Sequence, residues 1–175
     1  MIDAPTIGVL VTAVSVSVAA IYYIFTLRTN QRNLKMNLET RQAQLFMQLF
    51  DRWSSQEFAS NYGKVRYEFC SKFNDNPEEF SKFVTQNVNE SYNPDVFLPV
   101  HQLSLFFEGV AVLVQKKLID IDMVERLFAD RIIWYWGMIK PRILFARTYQ
   151  GQQLYTNFGW LYDEMVRRQG KPVAA

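Results

Sequence analysis

Residues 7–27 read IGVLVTAVSVSVAAIYYIFTL, from Ile7 to Leu27, without one charged side chain. At the helical rise of roughly 1.5 Å per residue the run is about 31 Å long, which matches the hydrocarbon core of a bilayer. It is read as a transmembrane helix. A cleaved secretory signal, the main competitor, would place basic residues before a shorter apolar core. Here the preceding MIDAPT carries only Asp3, and the bases all follow the run.

The flanks give an orientation. Beyond the span come Arg28, Arg32, Lys35 and Arg41 against Glu39, so the positive-inside rule puts the N-terminus outside and the C-terminal domain in the cytoplasm of a cell with a plasma-membrane anchor. Arg28, Arg32 and Lys35 are also placed to meet anionic headgroups. Tyr22, Tyr23 and Phe25 suit the interface at the same end. Ala13 and Ser17, and Ser15 and Ala19, are spaced as small-xxx-small pairs that let a second helix approach closely. The alternative is that small residues are merely tolerated in a lone span.

Working outward from the span, no Gly or Pro interrupts residues 28–53, and Leu34, Leu38, Leu45 and Leu49 keep one stripe apolar. The helix is expected to continue as a stalk, whose second half, AQLFMQLFDRW, packs in the soluble core. Ser54 to Glu57 reads as a capping box that starts a new helix, with Phe58, Tyr62, Val65, Phe69 and Phe73 on one face. Asn76 and Pro77 mark a further start. The stretch 87–99, NVNESYNPDVFLP, has three Asn and two Pro and reads as the longest irregular loop. From Leu98 a strongly apolar helix is expected. Asp120 is placed to cap the next one and Asp130 another, with Pro141 kinking or ending it near Lys140. Leu154 to Met165 define the last helix, which Gly170 and Pro172 end.

No stretch reads as a strand and no repeat is visible, so the fold class is all-α: one N-terminal transmembrane helix continuing into a stalk, then a cytosolic bundle of about five to six helices. The boundaries are 1–6 for a short extracytoplasmic N-terminus, 7–27 for the span, 28–53 for the stalk, 54–170 for the α-helical domain and 171–175 for a tail. An apolar content of 49% is too high for a disordered chain, so the part beyond the stalk should fold. A net charge of +2 argues against the broad basic surface of a nucleic-acid binder. The one cysteine, Cys70, cannot form an internal disulfide.

Chemistry is sparse. His101 is the only histidine, with no GxSxG or HExxH beside it, and no Walker or GxGxxG motif is present. Asp120 and Asp122 lack the other ligands of a calcium loop. Glu108 stands out because it lies within the most apolar helix, beside Phe106, Phe107 and Gly109, where a buried carboxylate needs a partner. Arg142 or Arg147 could supply one and lock the bundle; the alternatives are a surface position or a functional acid. Gly109 is expected to permit a close helix crossing.

The order of these segments carries a resemblance. A single N-terminal span, then RQAQLFMQLFDRW, NYGKVRYEF, LSLFFEGVAVLVQKKLIDIDMVERLF and YWGMIKPRI over roughly residues 20–150 resembles the bacterial and archaeal membrane-anchored helical proteins grouped as domain of unknown function 4760. The resemblance implies the architecture and brings no activity, cofactor or site residue with it. Without a catalytic constellation, metal or cofactor motif, the expected role is a non-enzymatic, membrane-anchored interaction module, an accessory or scaffolding subunit of a larger membrane complex. Its partners would be the lipid bilayer and other membrane subunits or a second copy, with no nucleic acid. A membrane-linked sensor, or an enzyme acting on a membrane-associated small molecule in a cavity of the bundle, are the alternatives.

Overall fold

The computed structural model describes residues 4–90 and 92–170; within that range the side chains of residues 4–7, 9–11, 89 and 90 are left aside. The expected N-terminal segment 1–6 and the tail 171–175 therefore lie largely or wholly outside the described residues. No strand occurs among the described residues. The elements are α1 (Ala4–Ser54), α2 (Gln56–Gly63), α3 (Pro77–Thr85), α4 (Pro94–Gln115), α5 (Ile121–Gln150) and α6 (Thr156–Arg168). The chain divides into two compact units, Met1–Ala43 and Gln44–Ala175.

In the first unit every described side chain of residues 12–41 is exposed. Val14, Val16, Val18, Ile21, Ile24 and Phe25 thus meet no protein core. The hydroxyls return to the helix's own carbonyls: Thr12 Oγ1 donates to Gly8 O at 2.9 Å, Ser17 Oγ to Ala13 O at 2.8 Å and Thr26 Oγ1 to Tyr22 O at 2.9 Å. Such back-bonding is what a polar side chain needs where no water can serve it.

The second unit is built on aromatic packing. Trp53, in the last turn of α1, lies 5.1–5.9 Å from the rings of Phe58, Tyr62, Phe106, Phe107 and Phe128. Leu45, Phe46 and Leu49 pack against the same core, as the stretch AQLFMQLFDRW leads one to expect. Further along, Phe107, Phe158, Tyr135 and Trp136 form a second cluster joining α4, α5 and α6. Offset and tilted rings at these distances add directional attraction to the burial itself.

Several boundaries differ from the sequence reading. The cap of α2 is Ser55, not Ser54: its Oγ accepts from Phe58 N at 3.3 Å and donates to Arg52 O at 2.8 Å. The helix from Phe58 does not keep one winding; after α2 it becomes a π-helical stretch, Lys64–Cys70, and a 3₁₀ turn, Ser71–Phe73. Asn76 caps α3 as expected, accepting from Glu78 N and Glu79 N, with Pro77 in the first turn. The stretch 87–99 is not a long loop. Gln86–Glu90 forms a π turn and α4 already begins at Pro94, because Asn93 caps it and Pro94 is preset for a first helical turn.

Pro99 then sits inside α4 and Pro141 inside α5 without ending either helix. Each proline removes one backbone donor. Burial of Val100 and Leu103 beside the first, and of Met138, Ile139 and Ile143 beside the second, outweighs that loss. Asp120 caps α5 through Asp122 N at 2.9 Å. Asp130, however, starts nothing: α5 runs through it for 30 residues to Gln150. Gly109 has open space where a Cβ would go, so it permits no close crossing. That role belongs to Gly159, whose Cβ would fall 3.0 Å from the Trp136 ring.

Candidate functional site

The α6 N-terminus shows what Glu108 does. The residue before it, Tyr155, has left-handed backbone geometry (φ 52) and offers no side-chain cap. The first backbone N–H groups of a helix need an acceptor from somewhere. Glu108, reaching from α4, supplies it: Oε2 accepts from Phe158 N at 2.7 Å, and Oε1 from Asn157 Nδ2 at 2.6 Å and Asn157 N at 3.4 Å. The carboxylate also sits at the positive end of the helix dipole. These donors, Asn157 and Phe158, are not the arginines Arg142 and Arg147 that the sequence offered as partners. Glu108 locks α4 to α6, but through backbone and amide donors.

The two arginines are used differently. Arg147 Nε donates to Leu154 O at 2.9 Å and ties down the corner between α5 and α6. Arg142 is buried at 7% exposure, with its guanidinium carbon 6.0 Å from the Phe145 ring and 5.9 Å from that of Tyr149.

Arg142 instead lines a partly open cavity of about 80 Å³, together with Val84 of α3, Val100, His101 and Ser104 of α4, Ile139 and Ile143 of α5, and Leu154 and Tyr155 of the corner. His101 Nδ1 and the Tyr155 hydroxyl share a hydrogen bond of 2.9 Å, and the imidazole stacks on Phe97 at 5.0 Å. Ser104 donates to Val100 O at 2.8 Å and bonds the Tyr135 hydroxyl at 3.0 Å. Burial pushes the Tyr155 hydroxyl up to about 12, helped by the Glu108 carboxylate and opposed by Arg142. The Tyr135 hydroxyl, wholly buried, is raised for the same first reason.

The remaining sequence candidates are not among the residues lining this cavity. Ala13, Ser15, Ser17 and Ala19 are exposed on α1, as are Arg28, Arg32 and Lys35. Lys35 faces Glu39 at 3.8 Å, an exposed pair of small value. Asp122 is drawn into a charge cluster in which Arg168 Nη1 meets Asp122 at 2.7 Å and Glu125 at 2.9 Å, and Arg168 Nε meets Glu164 at 3.0 Å. Among the described residues no group of three or more His, Cys, Asp or Glu side chains converges as metal ligands would. Cys70 is fully buried, and that burial raises its thiol to about 12.

Tyr155 and Asn157 have no place in the sequence reading. The available signal was negative: residues 153–157, QLYTN, start a helix with no capping side chain before it, so the acceptor must come from elsewhere in the fold.

Among the described residues two helices are long and apolar enough to cross a membrane, α4 and the part of α1 from Thr12. Half of the apolar window of α4 is buried within the protein, as in a core helix, whereas none of the α1 window is. A family model described as Domain of unknown function (DUF4760) matches residues 11–165. No curated protein and no solved structure matches the chain.

Proposed function

The chain belongs to the DUF4760 family, and from that premise we propose that it is a membrane-anchored helical interaction module that pairs with another membrane subunit or with a second copy of itself. The span over residues 7–27 anchors it, the N-terminus lies outside, and the C-terminal unit works in the cytoplasm at the plasma membrane. The asymmetry of Arg28, Arg32, Lys35 and Arg41 against the acid before the span supports that side.

The observation that carries the pairing is the exposure of Leu34 and Leu38, four residues apart on one face of the helix and each more than 60% exposed. Lipid accounts for exposed apolar residues within the span. Leu38, however, lies eleven residues beyond Leu27, roughly 16 Å along the helix at 1.5 Å per residue and past Arg28 and Arg32, where hydrocarbon no longer reaches. Another helix is the natural cover for such a stripe. Further support comes from the engagement of the bundle's own polar groups. Glu108 is engaged at α6, and His101 is bonded to Tyr155.

The test is gentle detergent extraction of the native membrane, native-gel separation and mass spectrometry of what migrates with the chain. Co-migration with membrane subunits at a fixed ratio, or as a dimer, lost on Leu34→Glu with Leu38→Glu, is expected. Migration as a monomer, or a complex indifferent to those substitutions, would overturn the pairing.

A further inference from the structure

We infer that the partner of α1 is a second copy of this chain, set parallel and in register along one seam that runs from Ala13 to Leu38. The inference rests on the pairing proposed above and names its partner. From Ala13 the seam advances by four and three residues in alternation, through Ser17, Ala20, Ile24 and Leu27 to Gln31, Leu34 and Leu38. That is the 3.5-residue repeat that keeps two helices face to face in a left-handed coiled coil. Helix α1 passes through all these positions without a break, and each of them is exposed. At 1.5 Å per residue the seam is roughly 37 Å long.

Its two halves suit two media. Within the span it holds Ala13, Ser17 and Ala20, small side chains that let backbones approach closely where lipid gives helices no hydrophobic reason to pair. The Ser17 hydroxyl already donates to Ala13 O at 2.8 Å and asks nothing of a second helix. Beyond the span lie Leu34 and Leu38, where removing large apolar side chains from water drives association. Gln31 stands between the halves. A polar side chain at such a core position costs stability and fixes the register. A side-chain amide both donates and accepts, so two Gln31 side chains satisfy each other. The seam closes at Arg41, where two guanidinium groups would meet, and from Leu45 the apolar side chains pack into their own bundle.

Self-complementarity selects a second copy over a different protein. Two copies of one chain enter the membrane in the same direction, so their spans are parallel. Each seam residue then meets its own counterpart across a two-fold axis, and none from Ala13 to Leu38 is charged. The flanks agree with this pairing. Arg28 and Lys35 lie along one flank of the seam, and Tyr23 and Asn30, five residues before them, along the other. In a parallel pair each flanking residue faces the one five positions on in the second copy, so Arg28 meets a ring and Lys35 an amide. No like charges are brought together along the seam before Arg41.

The experiment uses the full chain purified into liposomes at a low protein-to-lipid ratio, with single cysteines placed along α1 and mild oxidation to join copies. Cys70 is buried and stays out of the reaction. Leu34→Cys and Leu38→Cys are expected to give roughly fivefold more disulfide dimer than Asn33→Cys and Met36→Cys, which the repeat puts on the outer side of the helix. All four positions are exposed, so the fold tolerates each change. Ala20→Phe should lower the Leu34→Cys yield severalfold, because a ring in the membrane part of the seam holds the helices apart, whereas Val18→Phe should leave it unchanged. Equal yields at the four cysteines, no dimer, or a yield indifferent to Ala20→Phe would overturn the inference. Absence of the dimer in liposomes, beside a fixed-ratio complex in the native membrane that Leu34→Glu with Leu38→Glu dissolves, would overturn the second copy and leave pairing with another subunit standing. Absence of both would overturn the pairing itself.

Discussion

Along α1, Val14, Val16, Val18, Ile21 and Phe25 are exposed, whereas along α4, Val100, Leu103, Phe107 and Val110 are buried. Both segments are helical, uncharged over long stretches and rich in branched apolar side chains. They differ in what surrounds them. The first is apolar on every face and keeps its few hydroxyls on its own carbonyls. The second pairs an apolar face with side chains that reach specific partners, such as Glu108 to Phe158 N and Ser104 to Tyr135. An all-round apolar helix needs an apolar medium, while a striped one needs other protein elements.

Charge in the first region should break the comparison most sharply. Val16→Arg with Val18→Arg places two guanidinium groups near the middle of the span, at roughly 2.5–3.5 kcal/mol each. Membrane fractionation should find the variant largely unanchored, while circular dichroism still reports the helical second unit. Retained anchoring would mean that lipid does not cover this segment.

A cavity in the second region comes next. Phe107 is fully buried and stacks on Phe158 at 5.2 Å. Phe107→Ala should cost about 3–5 kcal/mol of unfolding free energy by denaturant titration, with anchoring unchanged. A loss below about 1 kcal/mol would show that the ring is not in the core.

A smaller effect sharpens the polar side of the contrast. Glu108→Ala strips the acceptor from the α6 N-terminus and should cost about 2 kcal/mol. Amide hydrogen exchange should rise first at Asn157 and Phe158. If Arg142 or Arg147 were the true partner, protection at those two amides would not change.

Alkaline pH gives the gentlest handle. The Cys70 thiol moves from its ordinary 9.0 to about 12, and the Tyr155 hydroxyl from 10.0 to about 12, both chiefly through burial. The folded state keeps protons that the unfolded state releases. Stability is therefore fully present below pH 9 and falls as pH rises from 9 toward 12, by about 1.4 kcal/mol per pH unit for each group titrating in that window. Cys70→Ala should remove the earliest part of the slope in a melting series. A melting temperature flat from pH 8.5 to 10.5 would contradict the burial of the thiol.

Local chemistry was legible in the sequence where the partner was near. Asn76 and Asp120 announce their helices because a cap bonds backbone donors two or three residues on. Asp130 carries the same side chain and caps nothing, since tertiary packing carries α5 past it. Pro99 and Pro141 end no helix for a related reason: core burial on both sides outweighs one missing donor. Glu108 was recognisable as a carboxylate in need of a partner, yet its partner is an uncapped helix start 50 residues away, which no spacing rule reaches. The cavity was invisible for the same cause, being assembled from α3, α4, α5 and a corner.

The most direct test of lipid as the cover for residues 7–27 is alkaline carbonate extraction of membranes holding the full chain, followed by sedimentation and immunodetection. A span held by hydrocarbon stays with the membrane pellet even as alkali loosens the second unit, and that is the expected result. Release of the chain into the supernatant would contradict the account, because the apolar face of α1 would then have to be covered by protein.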